Sequence, residues 1–161
     1  RVAVFDNDGT LWPENPVPFQ LAFVLDEVRR RAAENPGWKD DPAVAAALSG
    51  DMAGLMADHY AKLIRLLGIT GAGMTTTEFA ERVREWFATA RHPRFGRRYD
   101  ELAYQPMLEL LAYLRANGFK TFIVSGGGAD FMRVFAERVY GIPPEQVVGT
   151  STRPVFEMGS A

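Results

Sequence analysis

The chain has 161 residues, 47% of them hydrophobic, with a formal net charge of −2 and no cysteine. That length and apolar content suffice for one sizeable core, or a core with a small accessory module. The charge balance argues against a broad basic surface for nucleic acid and against an acidic disordered tail, and the missing cysteines exclude a disulfide framework and thiolate chemistry while leaving the redox compartment open. No apolar run approaches membrane-spanning length and the N-terminus has no signal-peptide layout, so a cytoplasmic location is expected. The first residue is Arg1 rather than Met, directly before an apolar strand pattern, so a short upstream piece is expected to have been processed or left out.

Val2-Ala3-Val4-Phe5 is a short apolar run that stops at an Asp/Asn/Asp/Gly cluster, as a buried strand does when it delivers its last residues to a loop. Trp12 to Pro18 carries three prolines and reads as a linker. From Phe19 the period changes. Leu21, Val24, Leu25 and Val28 follow helical spacing, Arg29-Arg30-Arg31 suit a helix C-terminus, and Asn35-Pro36-Gly37 breaks the run. Met52, Leu55, Met56, Tyr60, Leu63 and Leu67 predict a further amphipathic helix closed by Gly68. Thr75 and Glu78 have capping-box spacing, with Met74 and Phe79 placed for a hydrophobic staple and Val83, Trp86 and Phe87 on the buried face.

Residues 16–92 are thus expected to be helical, with little strand signal. After the basic stretch His92 to Arg98, Pro106 opens a helix carrying Leu108, Leu111 and Leu114, and Asn117-Gly118 ends it. Phe119 to Val124 is the second strong strand, stopping at Ser125-Gly126-Gly127-Gly128. A helix over about Ala129–Tyr140 follows, and Gln146 to Gly149 reads as a third, shorter strand. Strand, helical insertion, helix, strand, helix, strand predicts an α/β protein with a parallel sheet interrupted after its first strand.

The chemistry concentrates in Asp6-Asn7-Asp8-Gly9-Thr10-Leu11, just beyond the carboxyl end of a strand, where open α/β sheets hold their ligands. Two carboxylates two residues apart can both reach one site: one can ligate a hard cation and attack phosphorus while the other handles a proton. Gly9 permits a tight backbone approach, and the Thr10 hydroxyl can donate to a phosphate oxygen. The competing reading of Asp-x-Asp-Gly is an ordinary Asx/Gly turn. Ser125 and its glycines can present a hydroxyl and backbone N–H groups to an anion, with the following helix N-terminus adding its dipole; a plain strand-to-helix loop is the alternative.

Val2 to Leu11 resembles the first motif of the haloacid dehalogenase-like hydrolase superfamily, an apolar strand followed by Asp-x-Asp-Gly-Thr-Leu, matched across all ten residues. The resemblance implies a Rossmann-like core, Mg²⁺ as cofactor and an aspartyl-phosphate intermediate. Asp6 becomes nucleophile and metal ligand; Asp8 becomes general acid–base, with its main-chain carbonyl also on the metal. An alkoxide leaving group needs a proton and a halide does not, so Asp8 favours a phosphatase, with a phosphomutase still permitted.

The strand ending in Ser125 resembles the family's second motif, which makes Ser125 a phosphate ligand, and Val124-Ser125-Gly126-Gly127 resembles the phosphoserine phosphatase branch, whose helical cap follows the first strand. Residues 1–14 and 99–161 are then expected to form the Rossmann-like core and residues 15–98 an all-helical cap. Two family features are missing: after Ser125 there is no lysine and no Gly-Asp-type acidic loop. The C-terminal part of the core is expected to be absent from this chain, which alone should be a poor catalyst. A small phosphorylated metabolite is the expected partner, with neither nucleic acid nor membrane, and a non-catalytic phosphate-binding or regulatory module is the alternative from another class.

Other polar residues are set aside. Glu14 is off by one from the branch's substrate-binding glutamate and reads as a solvated charge. His59 reads as a cap-core histidine, and His92 has no second histidine or cysteine to complete a transition-metal site. Arg91, Arg94, Arg97 and Arg98 read as a solvated hinge, and Trp86, Phe87, Met52 and Met56 as cap core.

Overall fold

The computed structural model describes residues 1–57 and 61–155, and His59 and Tyr60 therefore lie outside the described residues. The chain divides into two compact units, Arg1–Pro13 with Asp100–Ala161 (unit 1) and Glu14–Tyr99 (unit 2).

Unit 1 is α/β. Strand β1 (Val2–Phe5) pairs in parallel with β2 (Lys120–Gly128), and β2 with β3 (Val147–Thr150), giving the order β1-β2-β3. Phe5 lies level with Ile123, and Ile123 with Val147, so all three strands run toward one carboxyl edge. One face of the sheet is covered: Thr121, Ile123 and Val147 are buried. On the other, Val2 and Val4 are 60% and 56% exposed, and Val124 and Val148 are 46% and 52% exposed. A parallel sheet normally has both faces covered, and its near-continuous apolar strands reflect that.

Helix α6 (Gln105–Ala116) has Pro106 in its first turn, as expected, and precedes β2. Strand β2 runs on through Ser125 and the glycines instead of stopping at Val124, with a register irregularity between Val124 and Gly128. The single helix expected over 129–140 is two short ones, α7 (Ala129–Arg133) and α8 (Ala136–Tyr140). Between them Phe135 leaves helical geometry (φ −122°, ψ −20°) and places its fully buried ring against Trp12, so aromatic burial overrides helical continuity.

Unit 2 is helical: α1 (Phe19–Ala32), α2 (Pro42–Ser49), α3 (Met52–Met56), α4 (Ala61–Gly71) and α5 (Thr76–Thr89). The capping box of α5 forms as its spacing predicts, Thr75 and Glu78 each satisfying the other's backbone N–H. Helix α2 carries no amphipathic signal, because Pro-Ala-Val-Ala-Ala-Ala-Leu-Ser is apolar on every side. Its start is set by Asp41, whose carboxylate accepts from the amides of Ala43 (2.8 Å) and Val44 (3.4 Å), and its end by Gly50 in a left-handed conformation. The helix expected from Met52 to Gly68 is replaced by α3 and α4. Extended Ala57 ends the first, and the second passes through Gly68 to Gly71, a mid-helix glycine costing only about 1 kcal/mol. Trp86 and Phe87 are buried as expected, but Met56 is exposed. No described helix is long and apolar enough to cross a membrane.

Two features hold unit 2 together. His92, buried and opposite Asn15, shares a 2.8 Å hydrogen bond between its Nε2 and the Asn15 carbonyl while its Nδ1 accepts from the Arg94 amide (3.2 Å). The ring is therefore a neutral tautomer with both nitrogens in use, and His92 joins the two ends of the unit. Glu27, only 3% exposed on α1, accepts from Arg30 (3.2 and 2.9 Å) and from Arg82 of α5 (2.6 Å). Burial pushes the Glu27 carboxyl up, but the hydrogen bonds from Arg30 and Arg82 outweigh it and hold the group below its ordinary value of 4.5. A carboxylate with a lowered folded-state pKa adds stability above its unfolded pKa and loses it as pH falls through the folded one.

Glu27→Gln is therefore expected to cost roughly 1.5–3 kcal/mol at pH 7. Its thermal midpoint should converge on that of the unsubstituted protein as pH drops below about 4.5. A gap that stays constant from pH 7 to pH 3 in calorimetric scans would refute the charge-assisted role.

Candidate active site

Asp6 leaves β1 at the carboxyl edge of the sheet. Because Phe5 pairs with Ile123, the parallel register carries the chain after Asp6 alongside Val124 and Ser125 of the neighbouring strand. The two motifs read separately from the sequence thus emerge from adjacent strands on the same edge, the position where open parallel sheets place ligands.

Hydrogen bonds within the first loop fix its shape. The Asn7 carbonyl accepts from the amides of Thr10 (3.1 Å) and Leu11 (2.8 Å), closing a turn in which Gly9 has φ +70°. A side chain at Gly9 would be strained in that left-handed conformation. Asp6 is exposed, and its Oδ1 accepts from the Asn7 amide at 2.7 Å. Asp8 is half-buried, and its Oδ1 accepts from the Trp12 indole Nε1–H at 2.6 Å. Thr10 is half-buried in the same turn.

Three residues that sequence reasoning passed over anchor this loop. Trp12 belongs to the core of unit 1: it is fully buried, bridges to Asp8 and stacks on Phe135 with centroids 4.4 Å apart. The linker expected from Trp12 to Pro18 therefore begins after it. Asn7, 2% exposed, accepts at Oδ1 from the Tyr140 hydroxyl (3.2 Å), 133 residues along the chain. Burial, with the nearby Asp8 charge, pushes the Tyr140 phenol well above its ordinary value, so it stays a protonated donor. A tryptophan four residues after Asp8 is the one local signal that could have identified its partner; nothing local connects Tyr140 to Asn7.

On β2, Ser125 is half-buried, Gly126 exposed and Gly127 half-buried. The Ser125 Oγ accepts from the Gly127 amide (3.2 Å), which leaves the hydroxyl hydrogen free to donate outward. The Thr150 hydroxyl donates to the Gly126 carbonyl (2.8 Å), tying β3 to the glycine loop. Gly149 permits that junction: a Cβ there would lie 2.5 Å from the Gly127 carbonyl oxygen and 2.6 Å from Met132 Cε.

Among the described residues no group of three or more His, Cys, Asp or Glu side chains gathers to hold a metal. Asp6 and Asp8 nevertheless form an all-oxygen donor pair, and Mg²⁺ commonly takes one or two protein carboxylates and leaves its other positions to water and phosphate. The residues present fit that ion. Of the 18 Lys and Arg residues only three are lysines. The three lysines are Lys39 and Lys62 in unit 2 and Lys120 at the start of β2, the end of the strand remote from Ser125. Arg133 bonds to the Pro144 and Val147 carbonyls and to Asp130, and Arg138 pairs with Asp100 at 2.8 Å. In unit 2, Glu14 is exposed, in keeping with a solvated charge, and Arg91, Arg94 and Arg97 are exposed while Arg98 is half-buried.

Among solved structures, the chain is similar to a phosphoserine phosphohydrolase-like protein from Francisella tularensis subsp. tularensis SCHU S4, with a TM-score of 0.46 and 20% sequence identity; the match covers 92% of this chain and 57% of that one. The chain thus spans little more than half the length of that neighbour. No curated protein matches it. The family model for haloacid dehalogenase-like hydrolases matches residues 3–157, nearly the whole chain. The chain belongs to the haloacid dehalogenase-like hydrolase family.

Proposed function

We propose that this hydrolase is a Mg²⁺-dependent phosphatase of a small phosphomonoester, working through an aspartyl-phosphate on Asp6. The observation that carries the reading is the emergence of Asp6-Asn7-Asp8 and Ser125-Gly126-Gly127 from adjacent parallel strands at one sheet edge. A carboxylate nucleophile, a second carboxyl group and an anion-accepting hydroxyl then face a single region.

In the first step an Asp6 carboxylate oxygen attacks phosphorus. The new O–P bond forms as the bond to the ester oxygen breaks, and the departing alkoxide takes a proton from the Asp8 carboxyl group. In the second, Asp8, now a carboxylate, takes a proton from water as that water attacks the phosphoryl group, releasing phosphate and restoring Asp6. Thr10, Ser125 and the Gly126 and Gly127 backbone bind the phosphoryl oxygens. The Asp6 carboxylate and the Asp8 main-chain carbonyl would hold Mg²⁺, which when bound supplies positive charge to the phosphoryl oxygens. Unit 2 is assigned the role of the cap, and the resemblance of Val124 to Gly127 to the phosphoserine phosphatase branch makes phosphoserine the first natural ester to assay.

The test is phosphate release from 4-nitrophenyl phosphate by the full-length protein, with Mg²⁺ and with the metal chelated. Turnover that requires Mg²⁺ is expected; turnover unaffected by chelation would overturn the metal assignment. The scarcity of lysine beside the described site supports a second reading, a phosphate-binding module without turnover. It predicts saturable binding of inorganic phosphate with no release of nitrophenol. Retention of the phosphoryl group on a sugar product would instead indicate a mutase.

A further inference from the structure

We infer that Tyr140 is a positioning residue for the Mg²⁺ site: by tying the Asn7 side chain into the interior of unit 1, it holds the loop of Asp6 and Asp8 in one conformation before the cation arrives. The inference rests on the proposed metal site and adds to it a residue that neither motif contains. Asn7 stands between the two aspartates and is only 2% exposed, whereas Asp6 is exposed and Asp8 half-buried. Its side-chain oxygen accepts from the Tyr140 hydroxyl at 3.2 Å. Its amide N–H donates to Asp6 Oδ1 at 2.7 Å, and its carbonyl accepts from the amides of Thr10 (3.1 Å) and Leu11 (2.8 Å). Asn7 is therefore the pivot of the loop, and Tyr140 joins that pivot to helix α8.

The tie joins two buried groups. A side-chain amide taken out of water needs a hydrogen bond in return, and an orphaned one is drawn back toward solvent. The donor is itself held at both ends. Tyr140 is 2% exposed, its ring meets Trp12 edge-on at 6.2 Å and Phe135 edge-on at 5.9 Å, and its carbonyl accepts from Arg115 of α6 at 2.9 Å. A loop of Asp, Asn and Gly has several turn conformations open to it, and a cation that bound it untied would have to order it first. Partners that orient metal ligands without touching the metal typically contribute about 10–100-fold in affinity.

The experiment is a double-mutant cycle read in the Mg²⁺ dissociation constant, by calorimetric titration of the full-length protein with magnesium chloride. Tyr140→Phe deletes the hydroxyl and keeps the ring; Asn7→Ala deletes the acceptor and keeps the backbone bonds of the loop. Each is expected to raise Kd on the order of tenfold. The double variant should lie within about threefold of either single one, because all three lose the same bond. Circular dichroism at the titration temperature separates a raised Kd from a loss of fold. A Kd raised less than about threefold in folded Tyr140→Phe, or losses that multiply in the double variant, would show a merely structural role. Either result would overturn the inference while the metal site stands. An unsubstituted protein that binds no Mg²⁺ would overturn the metal assignment itself, and the inference with it. Should Tyr140→Phe fail to fold, the double variant, which leaves neither partner orphaned, is compared with Asn7→Ala. Constants that differ by more than about threefold, or that match the parent in both, would then refute the inference.

Discussion

Asp6→Asn is expected to abolish turnover, with kcat lowered on the order of 10³-fold or more, because the amide oxygen cannot form the phosphoryl–enzyme bond. The substitution is isosteric, and the Asn side-chain oxygen can still accept from the Asn7 amide as the Asp6 carboxylate does at 2.7 Å. The loop should therefore keep its shape, and the thermal midpoint should stay close to that of the parent. Stopped and acid-quenched reactions separate the alternatives. The parent should carry acid-stable phosphate on the protein during turnover, and the variant none. Full activity in Asp6→Asn would sink the covalent mechanism.

Asp8→Asn is expected to lower kcat/KM for alkyl phosphates by about 10²–10⁴-fold, the usual contribution of a positioned acid. The effect on 4-nitrophenyl phosphate should differ in kind. Its kcat/KM should change little, because nitrophenolate leaves unaided, but kcat should fall because the attacking water has lost its base. Nitrophenol would then appear as a burst of about one equivalent followed by a slow steady state. An Asn at position 8 can still accept the Trp12 indole hydrogen, so this variant removes the proton while leaving the anchor. A uniform loss on both esters in Asp8→Asn, with no burst, would rule out the assigned acid–base role.

How much of this was legible in the sequence depended on the range of the forces involved. The first motif and the strand before it were readable because an apolar run and the turn that ends it are local signals, although Val2 and Val4 of that strand, expected to be buried, are exposed, and the capping box of α5 formed for the same local reason. Asp6, Asp8, Thr10 and Ser125 could be named from their own neighbours. The three prolines that closely follow Trp12 give it the local pattern of a linker, whereas its place in the core depends on Phe135 and Tyr140, far along the chain. The break at Phe135 was invisible for a related reason, since the helical period of 129–140 is intact and only the demand for aromatic burial interrupts it. Helix α2 leaves no periodic signal in the sequence because an all-apolar segment has no polar face to reveal its period.

The bond between His92 and the Asn15 carbonyl has a consequence for assembly of the sheet. Strands β1 and β2 pair residues such as Val2 and Lys120, with the whole of Glu14–Tyr99 between them. Closing a disordered loop of that length would cost roughly 4 kcal/mol in chain entropy by the logarithmic law. Once unit 2 is folded its own first and last turns stand a hydrogen bond apart, at 2.8 Å. The flanking segments then leave it side by side. The helical insertion thus acts as an internal splint: with unit 2 folded, the loop that pairing of β1 with β2 must close is far shorter than the sequence separation implies.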